Sequence, residues 1–224
     1  MIDQIEWLGH GTFILHGSPV NASAATAERS PGHPLIYINP WRIARVEHPA
    51  DVILLTSDRF DRCSPPDLRK LCAPHTQIIA AERALPLVEG CNVTVLRPWQ
   101  SLSLDLLCVK AIPAYYPAKN VDQGLGFVIS MQYYDIYYAG DTGLIPEMSR
   151  LHPDIALLPI DGRDTMTPAE AARAAIEMGS RWVIPFNWGA GAGSSANNAS
   201  RIDAISLMRE LNGKAETVLL NPTR

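Results

Sequence analysis

The stretch Thr56-Ser57-Asp58-Arg59-Phe60-Asp61-Arg62 sets two guanidinium groups among carboxylates within seven residues. Carboxylates in such company can serve as general bases while the cations stabilise developing negative charge. Guanidiniums can equally bind an anion through paired N–H donors. A further carboxylate, Asp141, lies in Tyr137-Tyr138-Ala139-Gly140-Asp141-Thr142, and His10 occupies the turn Gly9-His10-Gly11. His10 could hydrogen-bond a ligand or simply tether its loop. Cys63 follows Arg62, and two neighbouring guanidiniums would depress its pKa enough for nucleophilic chemistry with His10 as a distant base; a bystander thiol is the plainer reading.

Short apolar runs bounded by turn residues must position these groups. Ile5–Leu8, Thr12–Leu15, Leu35–Ile38, Val52–Thr56, Gln77–Ala80, Val93–Leu96, Cys108–Ile112, Gly126–Ser130, Ile136–Ala139, Ile155–Pro159, Trp182–Pro185 and Thr217–Leu220 read mostly as strands. Helices are fewer. Thr167-Pro168-Ala169-Glu170 pairs a hydroxyl N-cap with proline at the first helical position and glutamate at the third, and Gly179 closes the segment. Ser64-Pro65-Pro66-Asp67 opens a helix through Cys72, Ala199 to Leu211 forms another, and Ala84 to Glu89 a weaker one. The stretch 17–34 is small, polar and aperiodic, as expected of a mobile loop within a hairpin, and 189–200 resembles a flap.

Composition narrows the class. A chain of 224 residues that is 47% apolar can bury a large core, and one domain over 1–224 is the expectation. A net charge of -4 gives no footprint for nucleic acid or an anionic membrane. No apolar run nears the roughly 18 residues that span a bilayer, and the N-terminus lacks signal-peptide regions, so a cytoplasmic protein is expected. Four scattered cysteines without C-x-x-C spacing fit reduced thiols better than a disulfide frame.

Five segments taken in order carry a resemblance: Trp7-Leu8-Gly9-His10-Gly11-Thr12-Phe13, Ile38-Asn39-Pro40-Trp41, Ala50-Asp51-Val52-Ile53-Leu54-Leu55-Thr56, Tyr137 to Thr142, and Val183-Ile184-Pro185-Phe186. They resemble the metallo-β-lactamase superfamily over nearly the whole chain, and within it the branch of L-ascorbate-6-phosphate lactonases and related metal-dependent hydrolases. The resemblance implies an α/β (α+β) fold of four αββα layers, two mixed β-sheets flanked by helices. It also implies a two-metal centre that activates water, held by T-H-x-H-x-D-H after one strand, by P-A-x-H, by the Asp of G-D-T and by a His after V-I-P-x.

Matched position by position, Ser57, Arg59 and Arg62 stand where that pattern has three histidines, Tyr116 at the fourth and Asn187 at the fifth, while Asp61 and Asp141 remain. Asn39 replaces the aspartate of I-D-P-W, which would orient a metal ligand. Arginine offers no lone pair, and a unit charge facing a dication at roughly 4 Å costs about 8 kcal/mol at an effective dielectric near ~20. No metal and no cofactor is therefore expected, with Arg59 and Arg62 pairing the stranded carboxylates instead. Tyr115, Tyr116, Trp41 and Trp188 either line the mouth of the pocket or fill vacated volume.

Three functions follow from this reading. The first is a non-catalytic or metal-independent protein binding a small polar or anionic ligand through Ser57, Arg59, Arg62, Tyr116, Asn187 and His10. The second is an active hydrolase of the lactone, ester or phosphoester class, with Asp61 and Asp141 catalytic beside the arginines. The third is a scaffold or regulatory pseudoenzyme with an occluded pocket. Homo-oligomerisation stays open, and His16, His33, His48, His75 and His152 read as surface positions.

Overall fold

The computed structural model describes residues 1–17, 34–105, 107–117, 121–189 and 200–223, with the side chains of 121–123 left aside. The expected loop 17–34 and flap 189–200 fall almost wholly outside these residues.

The first sheet runs β1 (Ile5–Gly9), β2 (Thr12–His16), β3 (Leu35–Ile38), β4 (Val52–Leu55), β5 (Gln77–Ala81) and β6 (Asn92–Leu96), side by side in chain order. β1–β2 and β2–β3 are antiparallel; from β3 onward the strands are parallel. The second sheet has the order β13 (Glu216–Thr217), β12 (Trp182–Phe186), β11 (Ile155–Pro159), β10 (Tyr134–Tyr138), β9 (Val121–Met131), β8 (Cys108–Tyr116), β7 (Ser101–Ser103). Its β10 to β13 half is parallel and its β7 to β10 half antiparallel. These are the two mixed sheets expected.

Side-chain alternation explains the stacking. Along β4, Val52 and Leu54 join the core between the sheets, while Ile53 and Leu55 join a second cluster beneath α1 (Pro65–Leu71) with Leu68 and Leu71. β4 is apolar at every position because both faces are covered. Over the second sheet lie α2 (Pro168–Met178) and α3 (Arg201–Glu210), whose Ala171, Ala175, Ala204 and Leu207 are buried in the main core. Thr167 and Glu170 form the expected capping box of α2, and Gly179 ends it at φ 68°. Ser200 and Asp203 form a second box at α3.

Several expectations need correction. The segment from Ala84 is a 3-10 helix over Glu82–Leu87, with Pro86 inside it. β8 and β9 are longer than their apolar runs, because antiparallel pairing carries them on to Tyr116↔Val121. β7 was not foreseen: a three-residue edge strand of Ser-Leu-Ser has no apolar run to announce it. The reduced-thiol reading fails for one pair, since Cys72 and Cys91 form a disulfide. Spacing gave no hint because the fold itself, ending α1 at Cys72 beside the start of β6, brings their Cα atoms to 6.5 Å. Cys63 and Cys108 are free. Among the described residues, no helix is long and apolar enough to cross a membrane.

Candidate functional site

The chemistry-bearing residues sit just past the C-terminal ends of strands. Asn39 follows β3, the loop 56–64 follows β4, Asp141 follows β10 and Asn187 follows β12, with His10 in the β1–β2 turn beside them. Main-chain departure at these ends is abrupt: His10, Asn39 and Asn187 have φ of 52°, 47° and 60°, a conformation that asparagine and histidine tolerate better than most residues. Gly140 is required where it stands, at φ 70° with the Leu125 carbonyl 2.5 Å from where a Cβ would lie. In the loop after β4, Arg62 and Cys63 both donate N–H to the Arg59 carbonyl at 2.8 Å, which turns Arg59, Asp61 and Arg62 toward the cleft between the sheets.

Arg62 is the centre of the arrangement. It is 1% exposed and grips the Asp141 carboxylate side-on, through Nη2 at 2.6 Å and Nε at 3.0 Å. Nη1 donates to the Asp61 carbonyl at 3.1 Å and lies 3.6 Å from that residue's carboxylate, while Nη2 also meets the Asn187 amide oxygen at 3.3 Å. Gly11 makes room for the guanidinium, since a Cβ there would lie 2.9 Å from both Arg62 Cζ and Tyr138 Oη. Arg59 is the looser partner. Its Nε donates to Asp61 at 3.3 Å and sits 3.7 Å from Asp141, and its side chain is 44% exposed.

Charge governs protonation. Burial alone would raise the Asp61 carboxyl, but the hydrogen bond from His10 and the charges of Arg62 and Arg59 hold it well below the usual carboxylate range. Asp141 is lowered against its burial in the same way, chiefly by Arg62. Burial would weaken the Arg62 cation, yet Asp141 keeps it raised. His10 is lowered by burial and by Arg62, against the pull of Asp61. A neutral His10 donates Nε2–H to Asp61 across 2.6 Å, and its Nδ1 is buried with no partner among the described residues.

The expected residues come together unevenly. Arg59, Asp61, Arg62, Asp141, Asn187 and His10 form one network. The Ser57 hydroxyl is buried and has no hydrogen-bond partner among the described residues. Tyr116, half-buried at the end of β8, packs against Gly143. Trp41 lies tilted at 56° over His10 with ring centroids 5.3 Å apart and meets the exposed ring of Phe60 edge-on at 6.1 Å, so it does cover the site. Trp188 does not: it is 6% exposed and stacked on Trp7 in the core. The nucleophilic reading of Cys63 is overturned, because burial pushes its thiol up to about 11, with Asp58 adding to the effect.

Two members were missed. Asp161, after β11, accepts from Asn187 Nδ2 at 3.1 Å, and Tyr138 accepts from Asn39 and donates to the Gly11 carbonyl at 2.8 Å. The end of β11 lies between those of β10 and β12, so the carboxylate of Ile160-Asp161-Gly162 was the available signal.

Arginine N–H groups take up the carboxylate oxygens that a metal would need. Among the described residues, no group of three or more His, Cys, Asp or Glu side chains is placed to hold a metal ion. The side chains present do not fit the dinuclear centre that the resemblance implies.

Comparison with known proteins places this geometry. Residues 4–187 match the family described as "Beta-lactamase superfamily domain". A UPF0173 metal-dependent hydrolase of Methanosphaerula palustris is 28% identical over 199 residues, covering 83% of each chain. Another from Methanocorpusculum labreanum is 30% identical, covering 82% of each. Among solved structures, the metallo hydrolase Igni18 from Ignicoccus hospitalis superposes with a TM-score of 0.75 at 20% identity, over 98% of this chain and 95% of that one.

Proposed function

The chain belongs to the beta-lactamase superfamily domain family, and we propose that it is a metal-independent member that binds a small polar or anionic ligand where its relatives' hydrolytic centre would lie. One observation carries the reading: the fully buried Arg62 guanidinium grips Asp141 through two N–H donors and sets a permanent positive charge against the carboxylate that a metal would need. Of the two arginines, Arg59 is the ligand-facing one, since Arg62 is consumed internally and Arg59 keeps 44% of its side chain in solvent. Trp41 and Phe60 flank it as an aromatic rim.

Elemental analysis of the purified protein, with calorimetric titration of zinc, manganese and inorganic phosphate, tests this. Substoichiometric metal, no saturable metal binding, and phosphate binding lost in Arg59→Ala are expected. One or two equivalents of metal released by Asp141→Ala would refute it.

A second reading, a hydrolase of the lactone, ester or phosphoester class, has one observation in its favour. Asp61 and Asp141 are too acidic to be effective bases, but neutral His10, held by Asp61 at Nε2 and without a partner at Nδ1 among the described residues, has the lone pair that a base needs. Ester turnover by chelator-treated protein that disappears in His10→Gln supports this alternative; identical turnover in both removes it.

A further inference from the structure

An aromatic wall stands at the mouth of the arginine–carboxylate network. The ring centroids of Trp41 and His10 are 5.3 Å apart, and those of Trp41 and Phe60 are 6.1 Å apart. His10 is bonded to Asp61 at 2.6 Å, and Asp61 accepts from Arg59 Nε at 3.3 Å. An unbroken series of contacts therefore joins both rings to the solvent-facing guanidinium. Phe60 is 75% exposed, so most of its ring meets water.

The backbone holds this wall in place. Trp41 sits between Asn39 at φ 47° and Arg42 at φ 56°, a conformation that is costly for a residue such as arginine. Asp67 of α1, 4% exposed, maintains it by accepting the N–H of Arg42 at 2.8 Å and of Ile43 at 3.1 Å, while Lys70 donates to the Ile43 carbonyl at 2.7 Å. The same carboxylate accepts from the Ser64 hydroxyl at 2.7 Å, at the end of the loop that carries Phe60. A single buried side chain thus pins both loops. Phe60 itself lies inside the turn that the Arg59 carbonyl closes by accepting from the N–H groups of Arg62 and Cys63. Holding a phenyl ring in water adds nothing to the core, and the ring contributes only when a ligand covers it.

Charge restricts what that ligand is. The Arg42 guanidinium already rests 4.4 Å over the Trp41 ring, where a cationic ligand would otherwise stack. Arg59, with 44% of its side chain exposed, adds positive charge on the same side of His10 and Asp61. Against an anion stands Asp58, exposed one residue before Arg59, and the exposed Arg42 offsets it. Asp61 and Asp141 keep Arg62 at 3.6 and 2.6 Å when Arg59 turns to a ligand.

Resting on the reading that Arg59 faces a small anion, we propose that the ligand is an aromatic monocarboxylate, its carboxylate on the Arg59 guanidinium and its ring against Phe60 and Trp41. An acid without a ring would leave Phe60 in water, and an aromatic amine would bring a further cation against Arg42 and Arg59.

Calorimetric titration of the intact protein with phenylacetate, acetate, 2-phenylethylamine and inorganic phosphate tests the proposal. Phenylacetate binds at one saturable site, acetate about tenfold more weakly, and 2-phenylethylamine not measurably. Phe60→Leu, at an exposed position and with its fold verified by an unchanged melting temperature, loses about fivefold in phenylacetate affinity and nothing in phosphate affinity. Phe60→Tyr, which keeps the ring, binds phenylacetate as wild type does. Arg59→Ala loses phenylacetate and phosphate together. Phosphate held by Arg59 with phenylacetate no tighter than acetate overturns the aromatic ligand and leaves the anion site standing. Equal affinity for phenylacetate and 2-phenylethylamine, or wild-type phenylacetate binding in Phe60→Leu, also overturns it. Failure of both phosphate and phenylacetate to bind saturably removes the anion site and this ligand at once.

Discussion

Replacing Arg62 by Met leaves the Asp141 carboxylate, 4% exposed, without its two shortest donors. Each charge-assisted hydrogen bond is worth about 1.5–3 kcal/mol, so the two together give about 3–6 kcal/mol. The cost of removing one member of a buried ion pair is independently about 3–5 kcal/mol. Both lead to ~4 kcal/mol, which in a chain of this length lowers Tm by about 8–16 °C. The loss depends on pH. With Arg62 gone, burial is opposed only by Arg59 at 3.7 Å and the Asn187 amide at 3.4 Å, so the folded-state pKa of Asp141 rises; the deficit is full above that pKa and shrinks as acid protonates the group. Converting Asp141 to Leu in the same chain removes the stranded charge, and the double variant recovers most of the stability that the single one lost. Urea unfolding at pH 7 and pH 5 for the wild type, Arg62→Met and Arg62→Met/Asp141→Leu measures all three quantities. A single variant within ~1 kcal/mol of wild type, or a double variant weaker than the single, would refute a buried guanidinium as the cation of this site.

Other perturbations follow from the same contacts. His10 is depressed below its ordinary 6.5, so the unfolded chain takes up a proton that the folded one refuses, and stability falls as pH drops through that value. Urea midpoints at pH 7.5 and 5.5 differ in the wild type, and His10→Gln narrows the difference. Gly11→Ala drives a methyl against Arg62 and Tyr138, neither of which can yield, and lowers thermal stability by about 1–3 kcal/mol. Thr167→Ala removes the side-chain half of the α2 capping box and costs about 1 kcal/mol in a denaturant titration, with no change in ligand binding. Restoring imidazoles as Ser57→His/Arg59→His/Arg62→His, with Asp61 and Asp141 retained, yields a protein that takes up at least one equivalent of zinc by elemental analysis; a variant that folds and takes up none shows that the carboxylates are misplaced for a metal.

Much of this was legible because strands in this chain are short apolar runs between turn residues, and a fully covered strand such as Val52–Leu55 is apolar at every position. The site residues were legible one by one, from motif positions at strand ends. Their division of labour was not. Arg59 and Arg62 look interchangeable in sequence, but the turn closed on the Arg59 carbonyl sends Arg62 into the core and leaves Arg59 at the rim. Trp188, next to Asn187, goes to the core instead, where it stacks on Trp7, because the left-handed backbone at Asn187 turns the chain between them. Asp161 offered only its place at a strand end as a signal, and the Cys72–Cys91 bond depends on which elements become neighbours, which no local pattern encodes.

Under the proposed function, charge counting accounts for both the exclusion of metal and the kind of ligand the site would accept. Asp61 and Asp141 face two guanidiniums and His10 is neutral, so these four charges close at zero, while Asp161 is joined to them only through the Asn187 amide. A divalent ion entering it would have to displace both arginines from their acceptors and then face them at close range, each contributing about 8 kcal/mol of repulsion at roughly 4 Å. An anion meets a smaller barrier, because it need only draw Arg59 from contacts of 3.3 and 3.7 Å, and Arg62 at 2.6 and 3.0 Å can continue to hold Asp141. Asp61 then retains the His10 hydrogen bond and the nearby Arg62 charge. In the proposed reading, selectivity therefore resides in the exposure of Arg59, 44%, against the burial of Arg62, 1%, and a ligand with a single negative charge is the largest departure from neutrality that the remaining network compensates.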